Sequence, residues 1–125
     1  MEPARCVDFI LLKDGKFLAE KRRMDDDTDP GMIEIPGGHV EGQESFEDAL
    51  KRECAEELGV VPTEFRFIYK GIYKATSELQ ELNYYAVTKW SGKVAGREAE
   101  SYMWLRLEEV GKLDLQIDRR AVGRL

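Results

Sequence analysis

The sequence predicts an α+β fold in which helices pack on a mixed β-sheet. Three observations lead there. Apolar runs rich in aromatic and β-branched residues dominate both halves of the chain. Between Ser45 and Gly59 the apolar period changes from strand-like to helical. The resulting order is β-rich, helix, β-rich, helix, within 125 residues that read as one domain, residues 1–125. A chain of this length buries a core without cross-links.

The elements follow in order. "RCVDFILL" and "KFLAEKRR" read as a β-hairpin, Arg5–Leu12 and Lys16–Arg23, with Asp14-Gly15 at the turn. "MDDDTDPG" is an acidic loop. Asp25, Asp27 and Asp29 match the first, third and fifth positions of an EF-hand loop. Pro30 falls where that loop needs glycine and Pro36 where it needs glutamate, so a calcium loop is rejected in favour of a solvated loop leading into a Gly-rich turn. "MIEI" is a short strand stopped by Pro36, Gly37 and Gly38. Ser45, with Asp48 three residues on, resembles a capping box, and Gly59 is a natural left-handed stop for the helix between them. "EFRFIYKGIYK" and "LNYYAVTKW" are strands joined by "ATSELQE". "GKVAGRE" is a loop, "ESYMWLRL" a strand, "EEVGKL" a short turn and "QIDRRAVGRL" a helix.

The bulk numbers exclude several functions. The net charge is −6, and Lys and Arg are scattered apart from Lys21-Arg22-Arg23 and Arg119-Arg120. Neither a nucleic-acid backbone nor an anionic membrane is an expected partner. With Cys6 and Cys54 as the cysteines, no CxxC spacing and His39 as the single histidine, the sequence rules out a Cys/His zinc cluster. Both thiols sit in apolar patterns and are expected to be buried and free. "MEPARCVDFI" lacks the apolar stretch of a signal peptide, so the expected location is cytoplasmic. The sequence leaves open whether the chain is a monomer or a homodimer.

The helix carries the anomaly that points to chemistry. With Phe46 at zero and about 100° per residue, Ala49, Leu50, Cys54 and Leu58 fall near 300°, 40°, 80° and 120°. On the same wheel Glu53 falls near about 340° and Glu57 near about 20°, inside the apolar arc. Glu56, at about 280°, lies on its edge, and Arg52, at about 240°, flanks it. Like charges at these spacings repel, and desolvation makes the repulsion worse. Arg52 alone cannot balance Glu53, Glu56 and Glu57. A raised pKa or a cation relieves them. A hard divalent ion such as Mg²⁺, which takes oxygen ligands and tolerates substrate phosphates, suits the cluster. The preceding "IPGGHVEGQES" offers two glycines where backbone can pass close to a ligand and present a carbonyl oxygen.

From Gly38 to Val60 the chain reads G-x5-E-x7-R-E-C-x-E-E-x-G-V. This resembles the signature of the Nudix hydrolases, with Gly38, Glu44, Arg52, Glu53, Glu56, Glu57 and Gly59 at its fixed positions. Cys54 stands where an aliphatic residue is usual, Gln43 where glycine commonly precedes Glu44, and Ile33 where many MutT-like members carry tryptophan. None of these departures removes a carboxylate.

The resemblance implies an α/β/α sandwich on a mixed sheet with a loop-helix-loop catalytic motif. It implies hydrolysis of a nucleoside diphosphate linked to another group, with Mg²⁺, or Mn²⁺ in its place, as cofactor. Glu53, Glu56, Glu57 and the Gly38 carbonyl would form the metal face. Glu53 would be the base that activates water, and Glu44 would brace Arg52. A further acidic ligand would come from the loop before the last strand, Glu98 or Glu100, with Glu100 preferred. Lys21 and Arg23, alternating onto one strand face, are candidate phosphate ligands. Tyr69, Tyr73, Tyr84, Tyr85 and Phe67 either stack a base or fill the core.

The extra motifs of the ADP-ribose, dinucleoside-polyphosphate, coenzyme A and NADH branches are missing. No proline stands at Ala75 or Thr76, no tyrosine among Ser77 to Leu79, and no "SQPWPFPxS"-like stretch occurs. By elimination the expected substrate is a (d)NTP or modified (d)NTP, cut to a nucleoside monophosphate and pyrophosphate. The alternatives are an ADP-ribose or dinucleoside polyphosphate hydrolase, an RNA-end pyrophosphohydrolase, which the acidic balance disfavours, and a non-catalytic nucleotide sensor, which retention of all the signature carboxylates disfavours.

Overall fold

The computed structural model describes residues 2–125. Strand β1 (Ala4–Lys13) is its spine. It forms a hairpin with β2 (Lys16–Lys21), with Leu12 opposite Phe17. Asp14 and Gly15 both take left-handed φ values, 54° and 74°, as a tight two-residue turn requires. β2 continues antiparallel to β3 (Ile33–Glu34) and to β7 (Ser101–Arg106). On its other edge β1 runs parallel to β6 (Leu79–Ser91), which pairs antiparallel with β5 (Val61–Lys74). The result is a seven-stranded mixed sheet.

Helix α1 (Phe46–Leu58) covers one face and α2 (Gln116–Val122) the other. A 3-10 turn, Leu107–Lys112, leads into α2. The double cover explains why Cys6 to Leu11 are all buried. Val7, Phe9 and Leu11 pack with Ala49, Leu50, Cys54 and Leu58 of α1. Cys6 and Ile10 point the other way, to Leu115, Ile117 and Ala121. Cys6 and Cys54 are both buried and free, in different cores.

α1 begins where Ser45 Oγ accepts the Asp48 N–H at 3.1 Å. It ends where Gly59 adopts φ 71° and returns its N–H to the Ala55 carbonyl. Two elements differ from the sequence reading. Pro36-Gly37-Gly38 does not end the sheet: Gly37–His39 re-enters as β4, antiparallel to β1. This pairing is made by backbone alone, with Cys6, Val7 and Asp8 opposite His39, Gly38 and Gly37. Strand β2 stops at Lys21, so Arg23 does not share a strand face with Lys21.

The acidic loop is pinned rather than merely solvated. The Asp29 carboxylate accepts from the Thr76 N–H at 3.2 Å and the Tyr73 hydroxyl at 3.0 Å. The Asp29 N–H donates to Thr76 Oγ1 at 2.7 Å, and Thr28 Oγ1 meets Ser77 Oγ at 2.6 Å. Asp29 is 1% exposed, with φ 47°, a conformation that aspartate tolerates better than most residues. Among the described residues no helix is long and apolar enough to cross a membrane.

Leu50 locks α1 to the sheet and has no exposed surface. Leu50→Ala is expected to cost about 2–5 kcal/mol in a urea titration, through lost burial and a residual cavity.

Candidate active site

The site is built where α1, β4, β2 and the segment before β7 converge. Glu53 and Glu57 are buried on the inner face of α1, while the side chain of Glu56 is about half exposed. Strand β4 passes so close that a Cβ on Gly38 would lie 2.1 Å from Glu53 Cδ. One residue earlier, a Cβ on Gly37 would lie 1.8 Å from Asp8 Oδ1. A side chain at Gly37 would also strike the Val7 carbonyl at 2.5 Å, and one at Gly38 would displace the Glu53 carboxyl, so the pair runs between two carboxyl groups.

Arg52 ties the parts together. Its Nε and Nη2 donate to both oxygens of Glu44, at 2.7 and 3.0 Å. Its Nη1 donates to Glu53 Oε1 at 2.9 Å and Glu56 Oε2 at 3.1 Å. Nη2 also donates to the His39 carbonyl at 2.9 Å. One planar cation therefore holds the loop, β4 and the helix in a fixed relation. The Arg52 hydrogen bonds pull the Glu44 carboxyl down to about 2. Burial pushes Glu53 up, opposed by Arg52.

The sequence reading missed Glu20 and Tyr102. Glu20, on β2, is 4% exposed and its carboxyl lies against that of Glu57. Burial is the main cause that raises both carboxyls. Two acids in contact away from water hold a proton between them unless a cation replaces it. The Tyr102 hydroxyl, one residue pair across on β7, donates to Glu57 Oε2 at 3.2 Å and accepts the Ala99 N–H at 3.0 Å. The segment before β7 is drawn over the end of α1 by Ala95 N–H to the Leu58 carbonyl and Arg97 N–H to the Glu57 carbonyl.

That path turns Glu98 toward the cluster. Glu98 lines a cavity of about 70 Å³ with Glu20, Glu57, Asp26, Arg22, Gly37 and Ala99. Glu100 instead pairs with Lys21 at 3.4 Å, and its N–H donates to the Lys21 carbonyl. The preference for Glu100 over Glu98 thus runs against the geometry. Lys21 is engaged by Glu100, and Arg23 is engaged by Asp25 at 2.9 Å on the open surface. The cation that faces inward is Arg22. It contacts Asp26 at 3.0 Å, Glu20 at 3.6 Å and Glu34 at 3.7 Å, and its Nε donates to the Thr28 carbonyl.

Arg22 and Gly37 also line a second cavity, of about 110 Å³, on the α2 side of β1. Asp8, Asp29, Glu34 and Asp118 surround it with Ile35, Leu82 and Leu115. Asp118 accepts from the Ile35 N–H at 3.0 Å and from the Tyr84 hydroxyl. Burial lifts Asp118 to about 7 and Glu34 to about 10, and holds Asp8 well above the usual carboxyl range. Among the described residues Asp8 Oδ2 and Glu34 Oε2 have no hydrogen-bond partner. Of the aromatics considered for stacking, Tyr73 lines this cavity, Tyr84 reaches Asp118 from the core, and Phe67 and Tyr85 meet edge to face elsewhere.

The donor set at α1 fits a hard divalent ion. Glu53, Glu56, Glu57 and Glu98 offer the oxygen donors that such an ion takes, and β4 passes close beside Glu53 at Gly38.

A family model described as the NUDIX domain matches residues 2–124. The chain belongs to the Nudix family. It is 33% identical over 98 residues to an Escherichia coli 8-oxo-dGTP diphosphatase, covering 78% of this chain and 76% of that protein. It is 30% identical over 109 residues to the Escherichia coli CTP pyrophosphohydrolase, covering 87% and 80%. A MutT Nudix hydrolase from Burkholderia pseudomallei superposes with a TM-score of 0.88 over 100% of this chain and 99% of that one, at 24% identity, which speaks to the fold. This Nudix chain is an enzyme of the hydrolase class acting on nucleotides.

The buried acids have a thermodynamic consequence. A carboxyl raised by burial is protonated in the folded chain but ionised in the unfolded chain above its ordinary pKa. It therefore lowers stability increasingly as pH rises above 4.5, up to its folded value. Glu57→Gln is expected to melt higher than the parent in EDTA at pH 8, with the difference shrinking toward pH 5. Added Mg²⁺ should raise the melting temperature of the parent more than that of the variant.

Proposed function

We propose that the chain hydrolyses a nucleoside triphosphate, or a base-modified one, to the monophosphate and pyrophosphate, with Mg²⁺ bound at α1 and the base in the α2-side cavity. The observation that carries this is the junction of the two cavities. The carboxylate-lined one and the one with unpartnered buried acids share Arg22 and Gly37. A nucleotide laid across that junction brings its phosphates to the oxygen donors and its base to the acids.

Glu53, Glu56, Glu57 and the Gly38 carbonyl would hold the metal, with Glu98 rather than Glu100 completing the set. When bound, the ion would supply charge neutralisation of the pyrophosphate and polarisation of the scissile bond. Glu53 takes the proton of the attacking water as oxygen adds to phosphorus and the bridging P–O bond breaks. Arg52 donates to one Glu53 oxygen and so orients the other. Glu44 fixes Arg52 in turn. Arg22, rather than Lys21 or Arg23, is the cation placed to meet phosphate.

The base cavity adds specificity. An acid kept protonated offers one donor and one acceptor, whereas an ionised one only accepts. Asp8 and Glu34, with Asp118 beside them as an acceptor, thus suit a base edge that carries an amino group beside a ring nitrogen or carbonyl, as cytosine and guanine do. This agrees with the 8-oxo-dGTP and CTP named for the two relatives.

The test is a panel of (d)NTPs, 8-oxo-dGTP, ADP-ribose, diadenosine polyphosphates and 5′-triphosphate RNA with Mg²⁺, scored for monophosphate and pyrophosphate. Turnover should vanish with chelator. Glu53→Gln should lose about 10²–10⁴ in kcat with little change in KM. Asp118→Asn should lower kcat/KM for the preferred base by roughly 10–100-fold and alter the order of bases. Binding of nucleotides without turnover of any would overturn hydrolysis in favour of a sensor, and full activity of Glu53→Gln would remove it as the base.

A further inference from the structure

The structure brings together a group of ligands that the phosphate chemistry does not use. Cys6 on β1, His39 on β4 and Glu78 in the turn before β6 each present an atom within 4.8 Å of the other two. Cys6 and His39 are direct cross-strand partners. Glu78 joins them because its carboxylate meets His39 Nε2, while Gln80 Nε2 donates to the same carboxylate at 2.8 Å.

We propose that Cys6, His39 and Glu78 form a binding site for a borderline transition-metal ion, Zn²⁺ by preference, separate from the carboxylates of α1. The ligand types decide the class of ion. Thiolate with imidazole selects zinc or cobalt over Mg²⁺, which takes oxygen alone. The spacing agrees. A tetrahedral ion with bonds of about 2.0–2.3 Å sets its ligands roughly 3.4–3.6 Å apart, so small side-chain adjustments close the site. Access agrees too. Cys6 is 3% exposed but lines the larger cavity, and the His39 side chain is 55% exposed, so an ion enters from solvent and meets the thiol at the end of its path. The Cys6 thiol proton leaves to water as the metal–sulfur bond forms. Three protein ligands leave the fourth position open.

The site joins three separate segments. The His39 carbonyl already accepts from Arg52, so a metal on the His39 ring is one residue from the brace of the catalytic helix. It also fastens the Ala75–Glu78 turn to β1 and β4 at the cavity wall. The single histidine ruled out a Cys/His zinc cluster from the sequence. The fold supplies instead one cysteine, one histidine and one glutamate.

Co²⁺ titration under excess Mg²⁺ tests this without any nucleotide, so its outcome is independent of the proposed reaction. Co²⁺ at the α1 carboxylates gives no sulfur band. Co²⁺ at the new site should give thiolate-to-cobalt charge-transfer absorption in the near ultraviolet. That band should be lost in Cys6→Ala and in His39→Ala, a change at a side chain that is 55% exposed, and retained in Cys54→Ala. Added Zn²⁺ should displace the cobalt and bleach the band. Absence of the band in the native chain, or its survival in Cys6→Ala, would overturn the assignment.

Discussion

The close passage of Gly37 and Gly38 between Asp8 and Glu53 is the constraint on which the site depends. β4 holds its place with three backbone pairings to β1. Any side chain at either glycine would drive into a carboxyl group. Because the strand can lie so deep, its backbone forms the shared wall of both cavities. The acid on one side faces the α1 cluster and the acid on the other faces the α2-side cavity. A bulkier strand would separate the two cavities and leave neither in reach of the other.

Around that wall the charge balance is deliberately poor. Arg52 and Arg22 are the cations engaged with Glu20, Glu34, Glu44, Glu53 and Glu56. Glu57 instead faces Glu20, Tyr102 and the approach of Glu98. A chain folded for stability alone would place apolar groups there. The arrangement is a folded state held short of its best stability, a deficit that a bound cation and substrate would offset. Arg52 differs in kind from the rest: its five hydrogen bonds fix positions, and two of them grip both oxygens of Glu44.

Much of this was legible in the sequence. The hairpin, α1, its caps and the strands around it follow from local period and turn chemistry. Glu53 and Glu57 stood out because a helix wheel separates a solvent face from a core face, and acids on the core face are visible as errors. Glu20, Asp8, Glu34 and Asp118 are equally misplaced but did not stand out. Glu20, Asp8 and Glu34 lie on strands, where a polar residue at every second position is what a half-solvated sheet shows. Here helices cover both faces, so alternation no longer reports exposure. "CVDFILL" and "MIEI" each carried an acid inside an apolar run, which was the available signal. β4 was missed because Pro-Gly-Gly reads as a breaker and its pairing uses no side chain. The path that favours Glu98 over Glu100 depends on Tyr102 and on carbonyls at the end of α1, contacts that local sequence does not encode.

The pinning of Asp29 and Thr28 to Thr76 and Ser77 carries a consequence for how this chain can change. The two loops that border the larger cavity are far apart in sequence yet share hydroxyl, carboxylate and backbone hydrogen bonds. A substitution in either one strands polar groups in the other. A replacement that keeps the rim intact therefore has to satisfy both loops at once. The two loops act as one mechanical unit, although the chain writes them forty-odd residues apart.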